Sequence, residues 1–238
     1  MSSNSTIIAI ETSSEAASVA LLRGDTLISR SSNGVRTHSQ SVLPMIQELL
    51  AEAGIRLQDC DAVAFGAGPG SFTGVRTACG VAQGLAFGAG LPVVPVVTLE
   101  AMALACHQQH GATEVLAVLD ARMGEVYWAQ YKIDNSTEVP HTILAPTLSA
   151  PQGVQPTGAV SACGNGLAAY ADAFPGGGDA AIMPHAAHIA QLARIAVAEG
   201  RTVTAEAAQP LYLRNKVAYT QAERRTMAAG AGATQGDA

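Results

Sequence analysis

Short apolar segments separated by polar turns open the chain. Residues 7–10, 17–22 and 26–29 each have the length of a strand, and Gly24-Asp25 lies between the last two as a turn. The pattern therefore predicts that the chain begins with a three-stranded meander.

Between residues 42 and 53 the pattern changes to helical spacing, because apolar side chains recur at intervals of three and four. Ser39 or Ser41 is suited to capping this helix, Pro44 is tolerated in its first turn, and Gly54 is suited to ending it. We predict one amphipathic helix over 42–53.

The stretch from 63 to 90 has a different character. An apolar strand, 63–65, enters the glycine-rich turn 66–74, and a helix follows in which Arg76 is the only charged residue. A helix that is apolar or small on all sides has to be covered on all sides. It is too short and too rich in glycine for a membrane span.

Gly80, Gly84 and Gly88 recur every four residues in this helix and form one stripe. Each costs about 1 kcal/mol relative to alanine in a helix interior. That cost is expected where a second backbone approaches closely, as at small-residue helix contacts. The residues alone leave two alternatives open, a contact within the same domain or a contact with another chain.

The rest of the chain carries weaker patterns. Residues 93–97 predict a strand, followed by a helix that Thr98 caps and that ends near residue 109. Proline and glycine predict loops between 140 and 158, and apolar spacing predicts a helix over 187–199.

The second half also repeats the start of the first. Residues 115–119 end at Asp120 as the first strand ends at Glu11, and a strand over 125–131 follows. This repetition predicts a weak internal duplication. The predicted units are an N-terminal lobe, a reduced C-terminal lobe and a disordered tail: 1–110, 111–220 and 221–238.

Composition and charge indicate which kinds of partner the chain can bind. Hydrophobic residues make up 48% of the chain and charged residues 13%, so apolar surface is left for partners. The net charge of −6 argues against this chain alone binding a polyphosphate backbone, which requires lysine and arginine.

No leader or span is recognisable, so we expect a cytoplasmic protein outside the membrane. Four cysteines without metal-ligand spacing are expected to be reduced and buried: Cys60, Cys79, Cys106 and Cys163.

The glycine-rich turn 66–74 could present backbone N–H groups to an anion at the start of a helix. It lacks the Gly-Lys-Ser/Thr of a P-loop, and Pro69 stands where a nucleophile elbow needs glycine. Ser71 replaces the third glycine of a dinucleotide fingerprint. A sharp strand-to-helix turn remains, with or without a bound anion.

Two further groups carry titratable side chains. Glu11 and Asp120 end apolar strands, as carboxylates do at the nucleotide cleft of actin-like ATPases and sugar kinases. Capping of a turn is the simpler interpretation. Two histidine pairs have helical spacing but no third metal ligand nearby, so we expect surface or capping roles: His107 with His110, and His185 with His188.

Four segments of the chain stand out together: residues 8–12 (IAIET), 68–76 (GPGSFTGVR), 120–127 (DARMGEVY) and 212–214 (YLR). As a set they resemble the TsaB family, also called YeaZ. They follow the family's order over about residues 7–216, and the string GPGSFTGVR is highly specific.

The resemblance implies an α/β fold of the actin-like ATPase class (ASKHA, ribonuclease H-like), with two lobes related by a weak duplication and the second lobe reduced. It also implies a non-catalytic subunit that scaffolds and activates TsaD. TsaD forms N6-threonylcarbamoyladenosine at position 37 of tRNAs that read codons beginning with A. TsaE, an ATPase, is a further partner, and tRNA is reached through the complex.

TsaD-type proteins bind metal through an H-x-E-x-H motif, which this chain lacks. The resemblance therefore implies no catalytic residue, metal or cofactor of its own, with ATP and metal on the partner subunits. Glu11 stands where many members carry aspartate. The alternative is a free-standing kinase-like or peptidase-like enzyme of the same superfamily.

TsaB and TsaD are expected to pair through their N-terminal helices, and without TsaD the same face is expected to close a homodimer. The predicted contact residues lie on two helices: Leu43, Ile46, Leu50, Gly80, Gly84 and Phe87. The family motif supplies the candidates for an anion or nucleotide contact: Gly68, Pro69, Gly70, Ser71, Phe72, Thr73, Gly74 and Arg76.

Overall fold

A computed structural model describes residues 5–33 and 38–214, and the predicted disordered tail lies outside these residues. Within this part of the chain the strands form two sheets. The helices are α1 (His38–Glu52), α2 (Phe72–Ala89), α3 (Thr98–His110), α4 (Gly166–Ala169) and α5 (Ala186–Ala198). Short 3₁₀ segments lie at Leu57–Asp59, Pro151–Gly153 and Ala171–Ala173.

The first sheet has the strand order β3-β2-β1-β4-β5. Its strands are β1 (Thr6–Glu11), β2 (Ala16–Arg23), β3 (Thr26–Asn33), β4 (Ala62–Gly68) and β5 (Val93–Val97). The first three pair antiparallel, which confirms the predicted meander. The strands β4 and β5 run parallel to β1.

Helices cover both faces of the first sheet, which explains why its strands β1 and β4 are buried at every position. Ile8 and Ile10 of β1 pack into the core under α1 and α2. Ile7 and Ala9 face the opposite way, into the core under α3 and α5. The first sheet is therefore the middle layer of an α/β/α sandwich, with α1 and α2 on one side and α3 and α5 on the other.

The helix α5 comes late in the sequence but packs against the first sheet, since Ile189 and Ala193 share a core with Ile7. Sequence order and spatial packing differ at this point because an apolar helix stripe does not specify which sheet covers it. The division of the chain at residue 110 stays a prediction.

The start of α1 differs from its prediction. The helix begins at His38, so both predicted caps, Ser39 and Ser41, lie inside it, and Pro44 is its seventh residue rather than part of its first turn. Apolar spacing marks where the helix is buried, and the extra first turn is polar. The predicted end is confirmed, because α1 stops at Glu52 and Gly54 follows in the left-handed conformation, with φ of 65°.

The predicted cap of α3 is wrong. Val97 occupies the N-cap position, and Thr98 is the first helical residue. The hydroxyl of Thr98 instead accepts a hydrogen bond of 3.1 Å from the backbone N–H of Gly68, at the end of β4. Local propensity predicts a capping role for Thr98, but in the fold its hydroxyl makes a tertiary contact instead.

The second sheet has the order β8-β7-β6-β9. Its strands are β6 (Glu114–Arg122), β7 (Glu125–Ile133), β8 (Pro140–Ser149) and β9 (Ser161–Cys163). An antiparallel meander is followed by a strand parallel to its first member, as in the first sheet. The predicted duplication is confirmed, and the second lobe is reduced because its sheet has one strand fewer.

Loops were the prediction for residues 140–158, yet β8 occupies most of that range. The strand lies at the edge of the sheet and is largely exposed, with Pro140 at its start and Pro146 within it. Edge strands tolerate proline because one side of the strand needs no ladder hydrogen bonds. Proline is therefore a weak loop signal here.

The helix α3 joins the two halves of the molecule. Leu99 and Met102 share a core with Val115 and Tyr131 of the second sheet, while Leu104 packs under the first. Among the described residues, no helix is both long enough and apolar enough to cross a membrane.

Candidate functional site

Residues from both halves of the chain line a cleft of about 540 Å³, which we term the interlobe cleft. The first half contributes the loop after β1, residues 13–15, and the turn into α2, residues 69–75. The second half contributes the end of β6, residues 119–123, and the late segment 211–214. The family motif therefore lies at the wall of this cleft.

Two motif glycines are required by close approach of two backbones. A Cβ on Gly74 would lie 1.9 Å from the carbonyl oxygen of Thr12, and one on Gly70 would lie 2.7 Å from that of Ser13. The hydroxyl of Thr12 donates to the carbonyl of Gly74 at 2.7 Å, and the N–H of Ser71 donates to the carbonyl of Ser13 at 2.7 Å. The motif thus joins the start of α2 to the loop after β1.

The two strand-end carboxylates occupy equivalent positions. An oxygen of Glu11 accepts the N–H of Ser13 at 2.5 Å, and one of Asp120 accepts the N–H of Arg122 at 2.8 Å. Both carboxylates therefore cap the turn two residues further on, which confirms the simpler interpretation of each. Tyr170 also donates its hydroxyl to Asp120 at 3.1 Å.

Glu11 is fully buried and is not among the residues that line the cleft. Its side chain lies over Gly66, where a Cβ would collide with the carboxylate. Burial raises the pKa of this carboxyl above its usual range, and hydrogen bonds from Ser13 act in the opposite direction. Asp120, in contrast, lines the interlobe cleft.

Two arginines line the cleft, and both are matched by carboxylates of the same chain. Arg122 pairs with Asp120 at 2.9 Å, and Arg214 pairs with Glu125 at 2.5 Å. Arg76 has a different environment, because its guanidinium lies over an aromatic ring. The anion or nucleotide contact of the motif residues stays a prediction.

The segment 211–214 reaches the cleft through a contact that no local pattern signals. The N–H of Leu211 donates to the carbonyl of Ala67 at 2.7 Å, which ties this segment to the glycine-rich turn. Tyr212 and Arg214 thereby join the cleft wall. The string YLR is part of the family resemblance, but its sequence does not predict which residues it contacts in the fold.

The glycine stripe of α2 lies on the surface. Gly80, Gly84 and Gly88 are exposed, and a Cβ added to any of them would meet nothing within 4 Å. The opposite side of the helix is buried through Val75, Ala78, Ala82 and Ala86. Within the described part of the chain, the stripe therefore has no packing partner, which counts against a contact within the same domain and leaves this side of α2 uncovered there.

Large apolar side chains accompany the stripe. Phe87 of α2 is 73% exposed, and Leu43 of α1 is 44% exposed. Leu50 is partly buried against the core. Ile46 is only 2% exposed, so its predicted place at a partner contact is corrected, because its side chain fills the core between α1 and the sheet. We term Leu43, Gly80, Gly84 and Phe87 the α1/α2 face.

The histidines and cysteines have structural environments. His185 caps α5 by accepting the N–H of Ala187 at 3.1 Å, as expected, and His110 pairs with Asp179 at 2.8 Å. His107 is buried rather than on the surface, and its ring contacts the carbonyl of Ala112. All four cysteines are free and buried. Within the described ranges, no three His, Cys, Asp or Glu side chains are grouped as metal ligands.

Residues 27–229 match the family model described as TsaD: tRNA N6-adenosine threonylcarbamoyltransferase. The tRNA threonylcarbamoyladenosine biosynthesis protein TsaB of Escherichia coli (strain K12) is 42% identical, with 90% of this chain and 96% of that protein covered. The protein of the same name from Haemophilus influenzae (strain ATCC 51907 / DSM 11121 / KW20 / Rd) is 40% identical, with 91% and 96% covered.

A solved structure agrees with these sequence relatives. YeaZ from Pseudomonas aeruginosa superimposes with a TM-score of 0.82 at 40% identity, over 88% of this chain and 100% of that chain. The two sheets and this likeness confirm the α/β fold class with two lobes.

Proposed function

This chain belongs to the TsaB family of tRNA threonylcarbamoyladenosine biosynthesis proteins, and we propose that it acts there as the non-catalytic subunit that pairs with TsaD. In this proposal the α1/α2 face docks TsaD and holds it in an active arrangement. TsaE joins the same complex, tRNA is reached through it, and the complex works in the cytoplasm.

The exposed glycine stripe is the observation that carries the proposal. Three glycines in a helix interior cost about 3 kcal/mol in helix propensity. Among the described residues, a Cβ at Gly80 or Gly84 meets nothing within 4 Å, so no packing there offsets this cost. A helix backbone of a second subunit can lie closely against such a stripe, as at small-residue helix contacts in general. Phe87 and Leu43 then supply apolar contact area beside it.

The roles of Glu11 and Asp120 support placing the chemistry on the partner. Each carboxylate accepts a backbone hydrogen bond two residues further on, and Glu11 is also fully buried and does not line the cleft. The chain carries no H-x-E-x-H motif of the TsaD type. We therefore assign ATP and metal to the partner subunits and no catalytic residue to this one.

The test is Gly84→Leu, which adds a large side chain to the stripe. Because a Cβ at this position meets nothing within 4 Å, the variant is expected to fold normally. We expect it to lose co-purification with TsaD and to lose tRNA modification in the reconstituted set. Ala198→Leu is the matched control, since it adds similar bulk to an exposed helical position on the opposite side of the first sheet. Normal complex formation by Gly84→Leu would contradict the proposal.

The interlobe cleft of about 540 Å³ favours one competing function, a free-standing kinase-like or peptidase-like enzyme. ATP hydrolysis and metal content of the isolated chain separate the two. Robust turnover by the chain alone would favour the enzyme. A scaffold subunit gives no turnover alone and self-associates through the α1/α2 face when TsaD is absent.

A further inference from the structure

We propose that Arg76 binds a carboxylate of the partner subunit and that Phe72 and Tyr212 hold its guanidinium ready for that contact. This inference rests on the proposed function, because it names the chemistry that the partner must present at one end of the α1/α2 face.

The guanidinium of Arg76 is held on two sides. Its central carbon lies 3.5 Å from the centre of the Phe72 ring, one helical turn earlier, and 5.4 Å from that of the Tyr212 ring. Its Nε donates a hydrogen bond of 2.8 Å to the hydroxyl of Tyr212. An exposed arginine side chain normally loses rotamer freedom on binding, and this arrangement reduces that loss.

The terminal nitrogens of Arg76 have no acceptor among the described residues. Within residues 5–33 and 38–214, the single hydrogen bond of Arg76 uses Nε, and no carboxylate forms an ion pair with this side chain. The two arginines that line the cleft, Arg122 and Arg214, are by contrast paired with Asp120 and Glu125. Arg76 therefore offers a planar pair of N–H groups to an acceptor from outside the chain.

Arg76 also points in the direction of the proposed partner. With about 100° of rotation per residue, Gly80, Gly84 and Phe87 lie within about 80° of Arg76 around the α2 axis. All four residues are exposed. A helix that lies along the glycine stripe thus passes within reach of Arg76 at the end where α2 begins.

The charge balance favours a carboxylate over a nucleic-acid phosphate. Binding of a polyphosphate backbone depends on several cations. Among the described residues of α2, Arg76 is the one cation, and the chain carries a net charge of −6. Arginine and tyrosine are enriched at the residues that dominate protein–protein affinity. A Glu or Asp on the facing helix of the partner fits these groups.

The experiment measures the Kd of purified TsaD from the same organism for wild type, Arg76→Gln, Arg76→Lys and Tyr212→Phe at several salt concentrations. Arg76→Gln is expected to raise Kd about tenfold, as loss of a charge-assisted hydrogen bond does. It should also flatten the dependence of Kd on salt. Arg76→Lys keeps the charge but not the planar fork, so its loss should be smaller, and Tyr212→Phe should weaken binding without removing the salt dependence.

Arg23→Gln is the matched control, because it makes the same charge change at an exposed site at the opposite end of the sheet. Its Kd should equal that of wild type. A wild-type Kd for Arg76→Gln overturns the inference, and if Gly84→Leu still abolishes binding, the proposed function stands without it. Absence of binding by wild type overturns both. A third outcome is that Arg76→Gln binds TsaD as wild type does, while its complex with TsaD binds a tRNA transcript more weakly. That result would show that Arg76 contacts a phosphate rather than a carboxylate of the partner.

Discussion

Gly74 lies against the backbone of Thr12, close enough that a methyl group on Gly74 would stand 1.9 Å from the carbonyl oxygen of Thr12. The hydroxyl of Thr12 donates to the carbonyl of Gly74 at 2.7 Å across the same contact. This contact places the start of α2 on the loop after β1, and with it the orientation of the whole α1/α2 face. The specificity of the GPGSFTGVR string therefore has a packing cause at its glycines.

Gly74→Ala tests that packing. The added methyl group collides with backbone rather than with a flexible side chain, so the loop after β1 or the helix has to move. We expect the free energy of unfolding to fall by about 3 kcal/mol, although alanine favours the helix locally. Urea unfolding measures the change. Stability equal to or above that of wild type would mean that the contact relaxes at little cost.

Gly80→Ala is the contrasting variant on the same helix. A Cβ at Gly80 meets nothing within 4 Å, so only the helix propensity changes. We expect the isolated chain to gain about 0.5–1 kcal/mol in its free energy of unfolding. The same variant should bind TsaD more weakly than wild type, since the extra methyl group holds two helix backbones apart. A gain in both stability and affinity would argue against a close contact at the stripe.

Glu100 on α3 should make the protein less stable as pH rises. Burial raises the pKa of this carboxyl to about 7, and Arg201 acts in the opposite direction. Since the folded-state pKa lies above the unfolded value, the folded state binds more protons between about pH 4.5 and 7, and stability falls through that window. At pH 8 the free energy of unfolding of Glu100→Gln should therefore be about 2 kcal/mol higher than that of wild type. At pH 5 the two free energies should be nearly equal. A difference that is equal at the two pH values would contradict this assignment.

His188 on α5 should make the protein less stable as pH falls, which is the opposite of the effect of Glu100. Burial lowers the pKa of its ring to about 4, with a smaller effect of His185, and its Nδ1 has no hydrogen-bond partner among the described residues. The unfolded state then binds more protons between about pH 6.5 and 4, so stability is lost as pH falls through that range. When the pH is lowered from 7 to 4.5, the melting temperature of His188→Leu should fall less than that of wild type. Parallel pH profiles for the two proteins would exclude a buried neutral ring at this position.

The family motif and the duplicated strands could be predicted because both are local. Residues 7–10 and 115–119 are apolar at every position, which is typical of strands covered on both faces, and each ends in a carboxylate that caps the next turn. The prediction for Ile46 was wrong because helical spacing shows that a side chain belongs to an apolar stripe, not which part of the stripe a neighbouring element covers.

The sequence by itself determined the fold class, the family and the unusual composition of α2, since these depend on periodicity and on a short specific string. Only the tertiary structure decided that the glycine stripe is exposed, that Thr98 bonds to Gly68 and that Tyr212 meets Arg76. The last two contacts join residues 30 and 136 positions apart. Local propensity contains no information on such pairs, because the energy of a contact depends on which surfaces the completed fold brings together.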